Sequence, residues 1–446
     1  MKDAIQTHCS NDATETATER LGTALRAFNV YRGDPVALAD AAIEADPEFA
    51  MPHILKGYLF GLATEPEATC GARSIVAVAR DLAKTDIERS HVSALQALVG
   101  NNWTEAAQRL DHHNMAFPHD ILGLQAGHLM DFYRANARNL RDRLARVLPN
   151  WSDDQPGYAN LLGMYAFGLE ETGDYARAEA VGREATERDP LDCWAHHAVA
   201  HVLEMQGRAE DGLDWMASRE PHWSGDDNFF KVHNWWHKAL YHLDLGQSDK
   251  VIQLYDARIR GDESVVALDL VDASALLWRL QMEDHDVGDR WADVARCWDA
   301  HADGRLYPFN DWHAVMAYLG SGRTAEVNRM LARYQAADDT RDETARWARA
   351  TGLPLIQGFR AFREERYDDA VEILHRARFV ANAFGGSHAQ RDIIDWTLTE
   401  AATRSGNHRA AEALANERLA VKPHSPINQR FLHRAQTQAS GAIAAE

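Results

Sequence analysis

Small and apolar residues recur at three- and four-residue steps along most of the 446-residue chain, and two-residue alternation of β-branched positions is scarce. A period near 3.6 with no period of two predicts helices and almost no sheet. The pattern is clearest from Ala159 to Pro190, through Leu162-Gly163, Phe167, Gly173-Asp174-Tyr175, Ala178 and Asp189-Pro190. Each position has a packing reason. Gly163 lets two helices approach, Gly173 ends the first helix in a left-handed conformation, and Pro190 stops the second. Gly207 then takes the role of Gly173, so the unit is repeated.

Those positions, and the interval from Gly173 to Gly207, resemble the tetratricopeptide repeat, a helix pair of about 34 residues. Later intervals are longer. Gly207 to Gly246 slightly exceeds that length, and Gly246 to Gly322 is more than twice it, which reads as two units carrying insertions. A second copying signal supports the frame. Asn234-Trp235-Trp236-His237 before Gly246 and Asn310-Asp311-Trp312-His313 before Gly322 share one spacing from histidine to turn glycine. Further pairs are read at Leu355 to Arg376 and Arg391 to Lys422, and divergent ones upstream. The expected fold is all-α, a right-handed superhelical α-solenoid of such helix pairs. Its layout is a flexible N-terminus (1–18), divergent helix pairs (19–150), central repeats (151–345), C-terminal helix pairs (346–438) and a tail (439–446).

Charge and cysteine usage narrow the partners. The formal charge of −20 repels phosphate backbones and anionic membranes, so neither nucleic acid nor membrane is expected. No apolar run is long enough to span a bilayer, and Met1 to Glu19 has neither the basic start nor the apolar stretch of a secretory signal. Four dispersed cysteines, Cys9, Cys70, Cys193 and Cys297, fit a reducing compartment, and the expectation is cytoplasmic. Phosphate-binding, dinucleotide-binding and serine-nucleophile motifs are absent.

Several uncommon strings resemble one family. They are Arg146-Val147-Leu148-Pro149-Asn150-Trp151, Tyr165 to Glu171, Trp194 through His197, His201 and Glu204 to Met205, His233 to His237, Phe309-Asn310-Asp311 with His313, Gly385-Gly386-Ser387 and Ala389 to Asp392. In order and content they are similar to the tetratricopeptide repeat protein 38 family, from about Asp46 to about Arg434. The resemblance implies an all-helical repeat fold and no established chemistry.

Chemistry must therefore be sought on the inner helices. Ligand-facing positions of the first helix of a pair recur near its second, fifth, ninth and twelfth residues. Counting Gly207 as the fifteenth places His197, His201 and Glu204 on that stripe. The same count puts Glu170 on the preceding inner helix, His233 and Trp236 on the following one, and His237 one residue off. Four readings follow. His197, His201, Glu204 and His233 have the ligand types of a divalent transition-metal site such as zinc. With His237 they could instead form a general acid–base set in a hydrolase or lyase. Together with Glu170, Trp194, Trp236, Asp311, His313 and Arg391 they could line a concave groove for a small molecule or peptide, the first expectation for function. Histidine and tryptophan also serve as interhelix packing. Arg391 is a candidate carboxylate clamp, while Gln390 to Asp392 are expected to cap and start a helix. A homodimer is a further expectation.

Overall fold

The computed structural model describes residues 13–338, 342–381 and 384–445, so Cys9 and most of the expected N-terminal segment lie outside the described residues. Among the described residues the chain is helical throughout, with no strand and one isolated bridge between Arg32 and Asn228. No helix there is long and apolar enough to cross a membrane. The chain divides into two compact units, Met1–Val199 with Arg219–Lys231, and Ala200–Ser218 with Val232–Glu446. Helices Cys193–Met205 and Ala209–Trp223 contribute residues to both.

Unit 1 is a run of helix hairpins. Glu15–Val30 packs on Pro35–Ala45, Ala50–Gly61 on Pro66–Leu82, Asp86–Val99 on Trp103–Ala116, Ile121–Tyr133 on Ala137–Val147, and Tyr158–Glu171 on Tyr175–Arg188. Leu162, Ala185 and Ala195 form a buried apolar cluster where the last hairpin meets the start of the next helix. Gly163 permits a close approach there. A Cβ on it would press on the Asp192 carboxylate and lie 2.8 Å from the Ala195 nitrogen, so the glycine admits the following repeat rather than its own hairpin partner.

Unit 2 continues in the same manner. Ala267–Met282 pairs with Arg290–Trp298, Pro308–Gly320 with Thr324–Gln335, Leu353–Arg363 with Tyr367–Ala377, and His388–Arg404 with His408–Val421. Helix Pro426–Ala445 packs on His408–Val421 and runs on through the segment expected to be a tail. Trp278 and Trp312 meet on Phe359, with ring centroids 4.9 and 5.1 Å away, and the Trp298 indole donates to Ser274 Oγ at 2.9 Å.

One turn geometry recurs and fixes the repeat frame. At Gly173, Gly207, Gly246 and Gly322, φ lies between +69° and +81°. The next residue bonds back five positions in every case: Asp174 to Leu169, Arg208 to Leu203, Gln247 to His242 and Arg323 to Tyr318. That is a helix C-terminus closed by a left-handed residue, where glycine carries no steric penalty. Non-glycine residues adopt the same turn at Asn101, Ala135, Asp284 and Glu365. Asp284 resolves the long interval, since it lies midway between Gly246 and Gly322. Two whole units occupy that stretch, and the turn between them escapes a search for glycine.

Candidate functional histidine site

In unit 2, three inner helices bring polar side chains to one place. His201 and Glu204 come from Cys193–Met205, His233, Trp236 and His237 from Lys231–Asp244, and Asp272 from Ala267–Met282. The His237 Nδ1 lies 3.0 Å from Glu204 Oε2, and the His233 Nδ1 lies 2.8 Å from Asp272 Oδ2. The far nitrogens meet each other, with His237 Nε2 and His233 Nε2 3.2 Å apart. Lys422, at the end of His408–Val421, donates to the other Glu204 oxygen at 3.4 Å. The order is ammonium, carboxylate, imidazole, imidazole, carboxylate.

The surroundings are dry and aromatic. His201, His237 and Asp272 are buried, and His233 is half-buried. Trp236 stacks on the His233 ring at 5.2 Å and 17°, and the His201 ring centre lies 4.5 Å from that of His237. Burial, reinforced by the neighbouring His237, holds His201 well below the ordinary imidazole range, so at neutral pH it is uncharged and keeps a lone pair. Nitrogens of His201, His233 and His237 all lie within 4.8 Å of one another.

Proton counting shows what this geometry demands. A neutral imidazole carries one N–H and one lone pair. With both carboxylates ionised, each Nδ1 must donate, which uses the only proton of each ring. Both Nε2 atoms then present lone pairs at 3.2 Å. Two facing lone pairs repel, and a proton or a metal ion shared between them would relieve that.

A second histidine group, in unit 1, has no such shortage. Asp120 Oδ2 receives His91 Nε2 at 2.6 Å and His113 Nε2 at 2.7 Å. The opposite nitrogens meet hydroxyls, Tyr58 at 3.0 Å and Ser90 at 2.9 Å, which can donate to them. All four ring nitrogens meet a partner, and the Nε2 atoms point at a shared carboxylate oxygen rather than at each other. Burial alone would raise the Asp120 pKa, yet the two imidazoles outweigh it and hold the carboxyl well below its usual range. This group is a polar tie between helices. Nothing in the sequence pattern marked it.

The other expected residues are placed as follows. In unit 1, His197 stacks on Phe167 at 5.1 Å and meets Phe230 edge-on, and Trp194 packs between Phe167 and His128. Glu170 is fully buried on Tyr158–Glu171. In unit 2, Asp311 accepts from the Tyr334 hydroxyl at 2.7 Å and the Gly304 N–H at 3.1 Å, and burial pushes its pKa up to about 7. His313 Nδ1 donates to the Phe309 carbonyl at 2.8 Å, and burial pulls its pKa down to about 3. Both are thus tied into their own helix and its neighbours. Arg391 donates to the Gly385 and Gly386 carbonyls, bracing the break before its helix. The capping expectation needs correction at one residue: Ser387 and Gln390 form the reciprocal cap, whereas Asp392 takes both ends of the Arg418 guanidinium at 3.0 and 3.1 Å. Asp272 and Lys422 were missed by sequence reasoning. Asp272 sits in the unit whose turn is Asp284, outside any glycine-based frame, and Lys422 is 218 positions from Glu204.

No protein-family model matches the chain. Among solved structures it is similar to the human IFIT1 dimer with PPP-AAAA, at 12% identity over 96% of both chains and a TM-score of 0.43. It is also similar to the APC/C hetero-tetramer Cut9-Hcn1, at 12% identity over 94% of this chain and 76% of that one, with a TM-score of 0.44. Yeast Tom70 matches at 11% identity over 96% and 88%, with a TM-score of 0.34. The likeness is to helical-repeat proteins of tetratricopeptide type, and it is one of fold.

Proposed function

We propose that this chain is a helical-repeat protein, of the tetratricopeptide repeat protein 38 kind its sequence strings resemble, that binds a divalent transition metal at His201, His233 and His237. The observation that carries the reading is the 3.2 Å separation of two Nε2 atoms whose opposite nitrogens each face a carboxylate. Two imidazoles on one tetrahedral zinc, at roughly 2.05 Å each, stand about 3.3 Å apart. Carboxylates on the far nitrogens fix the tautomer and raise ligand basicity, the usual outer arrangement of metal-bound histidine. Glu204, expected from the sequence as a ligand, takes that outer role here. The metal would act as the recognition point for a small polar ligand, and as a Lewis acid if the site is catalytic.

A second reading uses the same chain without metal. A third proton between His233 and His237 would make Glu204, the two rings and Asp272 an acid–base relay, the enzyme alternative. Elemental analysis of tag-free protein separates the two. Near-stoichiometric zinc, iron or manganese, falling away in His237→Ala, supports the centre. A metal-free preparation that also fails to bind added Co²⁺ with tetrahedral visible bands would sink it and leave the relay.

A further inference from the structure

Unit 2 also encloses a cavity of about 30 Å³, room for roughly two waters, beside but not among the three imidazoles. Its lining includes Arg279, Arg418, Lys422, Glu204, Asp392 and Trp396. Two of the three cations have carboxylate partners: Arg418 holds Asp392 bidentately, and Lys422 faces Glu204. Arg279 does not. Its side chain is 1% exposed, and among the described residues no carboxylate lies within 4 Å of it.

The guanidinium makes two hydrogen bonds, to the Ala275 and Ala389 carbonyls at 3.3 and 3.0 Å. Three of its five N–H groups remain without an acceptor among the described residues. It lies near two indoles, 5.5 Å from the Trp236 ring and 5.9 Å from Trp396. The Trp396 N–H is itself buried with no acceptor. Burying an incompletely hydrogen-bonded guanidinium is unfavourable, and although the Asp392, Glu204 and Asp272 carboxylates act on it from beyond ion-pair distance, burial pulls its pKa down to about 10. Asp244 also lines the cavity, but it accepts from Ser425 and lies beyond ion-pair range of Arg279. The cavity's charged side chains therefore balance, three cations against three carboxylates, while Arg279 and Trp396 keep donors that want an acceptor.

We infer that this cavity is a binding site for the carboxylate group of a small organic acid, received by Arg279, with Lys422 also on its lining. A planar guanidinium offers two parallel N–H groups that match the two oxygens of a carboxylate, and the space suits a two-oxygen head rather than a phosphate. Arg279 itself makes no hydrogen bond to the imidazole group, so this binding can be read apart from any metal, while Lys422 and Glu204 both line the cavity and end the imidazole chain.

Formate and acetate are the probes, titrated against chloride and phosphate at equal ionic strength, with thermal unfolding as the readout. Wild-type protein should show a saturable rise in Tm with formate that chloride and phosphate do not give, both as purified and after treatment with EDTA. In Arg279→Met that rise should vanish. Arg279→Lys should weaken the response by at least ~10-fold, because a point charge lacks the fork. Should Arg279→Met fail to fold, Lys422→Met must show a reduced formate response. A formate effect no larger than that of chloride, one matched by phosphate, one that survives in Arg279→Met, or one seen only in metal-loaded protein would overturn the inference. Loss of metal binding alone would leave it untouched.

Discussion

Asp311 gives the sharpest test of the electrostatics, because its carboxyl is fully buried and its pKa is pushed up to about 7 from an ordinary value of 3.8. In the unfolded chain the group ionises near pH 4, whereas in the folded chain it keeps its proton until about pH 7. Between those values the native state holds one more proton than the unfolded state, so stability falls as pH rises. The slope from this group is about 1.4 kcal/mol per pH unit, and three units of separation make the full span about 4 kcal/mol, an upper bound for a group that can relax. Its contribution is complete below pH 4 and lost above pH 7. Asp311→Asn replaces the neutral acid by a neutral amide of the same shape, and its oxygen can still accept from the Tyr334 hydroxyl or the Gly304 N–H. The variant should match wild type only below pH 4, lead it by about 1.4 kcal/mol at pH 5 and gain up to about 2.7 kcal/mol more by pH 7. Asp192 in unit 1 is pushed to about 7 by the same cause, so the informative quantity is the difference between variant and wild type rather than either curve alone. Thermal unfolding at half-unit steps from pH 5 to 8 measures it. Two parallel curves would refute the reasoning, and would return Asp311 to the pool of residues held for a ligand.

Other consequences follow from the same geometry. Asp272→Asn removes the carboxylate behind His233 while leaving the ring in place, so metal affinity should drop about 10- to 100-fold in a competition titration with a chelator of known strength, with the helical circular dichroism unchanged. An unaltered affinity would exclude the outer-carboxylate role. Asp120→Asn in unit 1 keeps both imidazole bonds only by setting its NH2 against the Leu122 N–H, and should lower stability by about 1 to 3 kcal/mol with no effect on metal content. Ala135→Gly places glycine at a φ of +50° in a repeated turn, and should raise stability by up to about 1 kcal/mol in urea unfolding, whereas a loss would mean the left-handed strain there is already relieved.

Much of the architecture was readable from local pattern. Helix pairs followed from 3.6-residue periodicity, and the turns at Gly173, Gly207, Gly246 and Gly322 followed from glycine's freedom at positive φ. The same frame put His201, Glu204 and His233 on inner helices, where unit 2 brings them together with His237. It could not mark the turns at Ala135 and Asp284, because a left-handed alanine or aspartate is tolerated by its context and leaves no trace in residue type. Nor could it separate His313, bonded within its own helix to Phe309, from His237, whose partner is 33 positions away, since both carry the same Asn-x-Trp-His spacing.

Periodicity reports which face of a helix a side chain occupies, and that is a local property fixed by 3.6 residues per turn. Which groups meet across helices depends on distant residues: Asp272 behind His233, Lys422 beside Glu204, and the Ala389 carbonyl on Arg279. Those meetings set which nitrogens of two imidazoles face each other and which donors the neighbouring cavity leaves without an acceptor. Both are differences between donors and acceptors gathered in three dimensions, so only the folded chain could decide them.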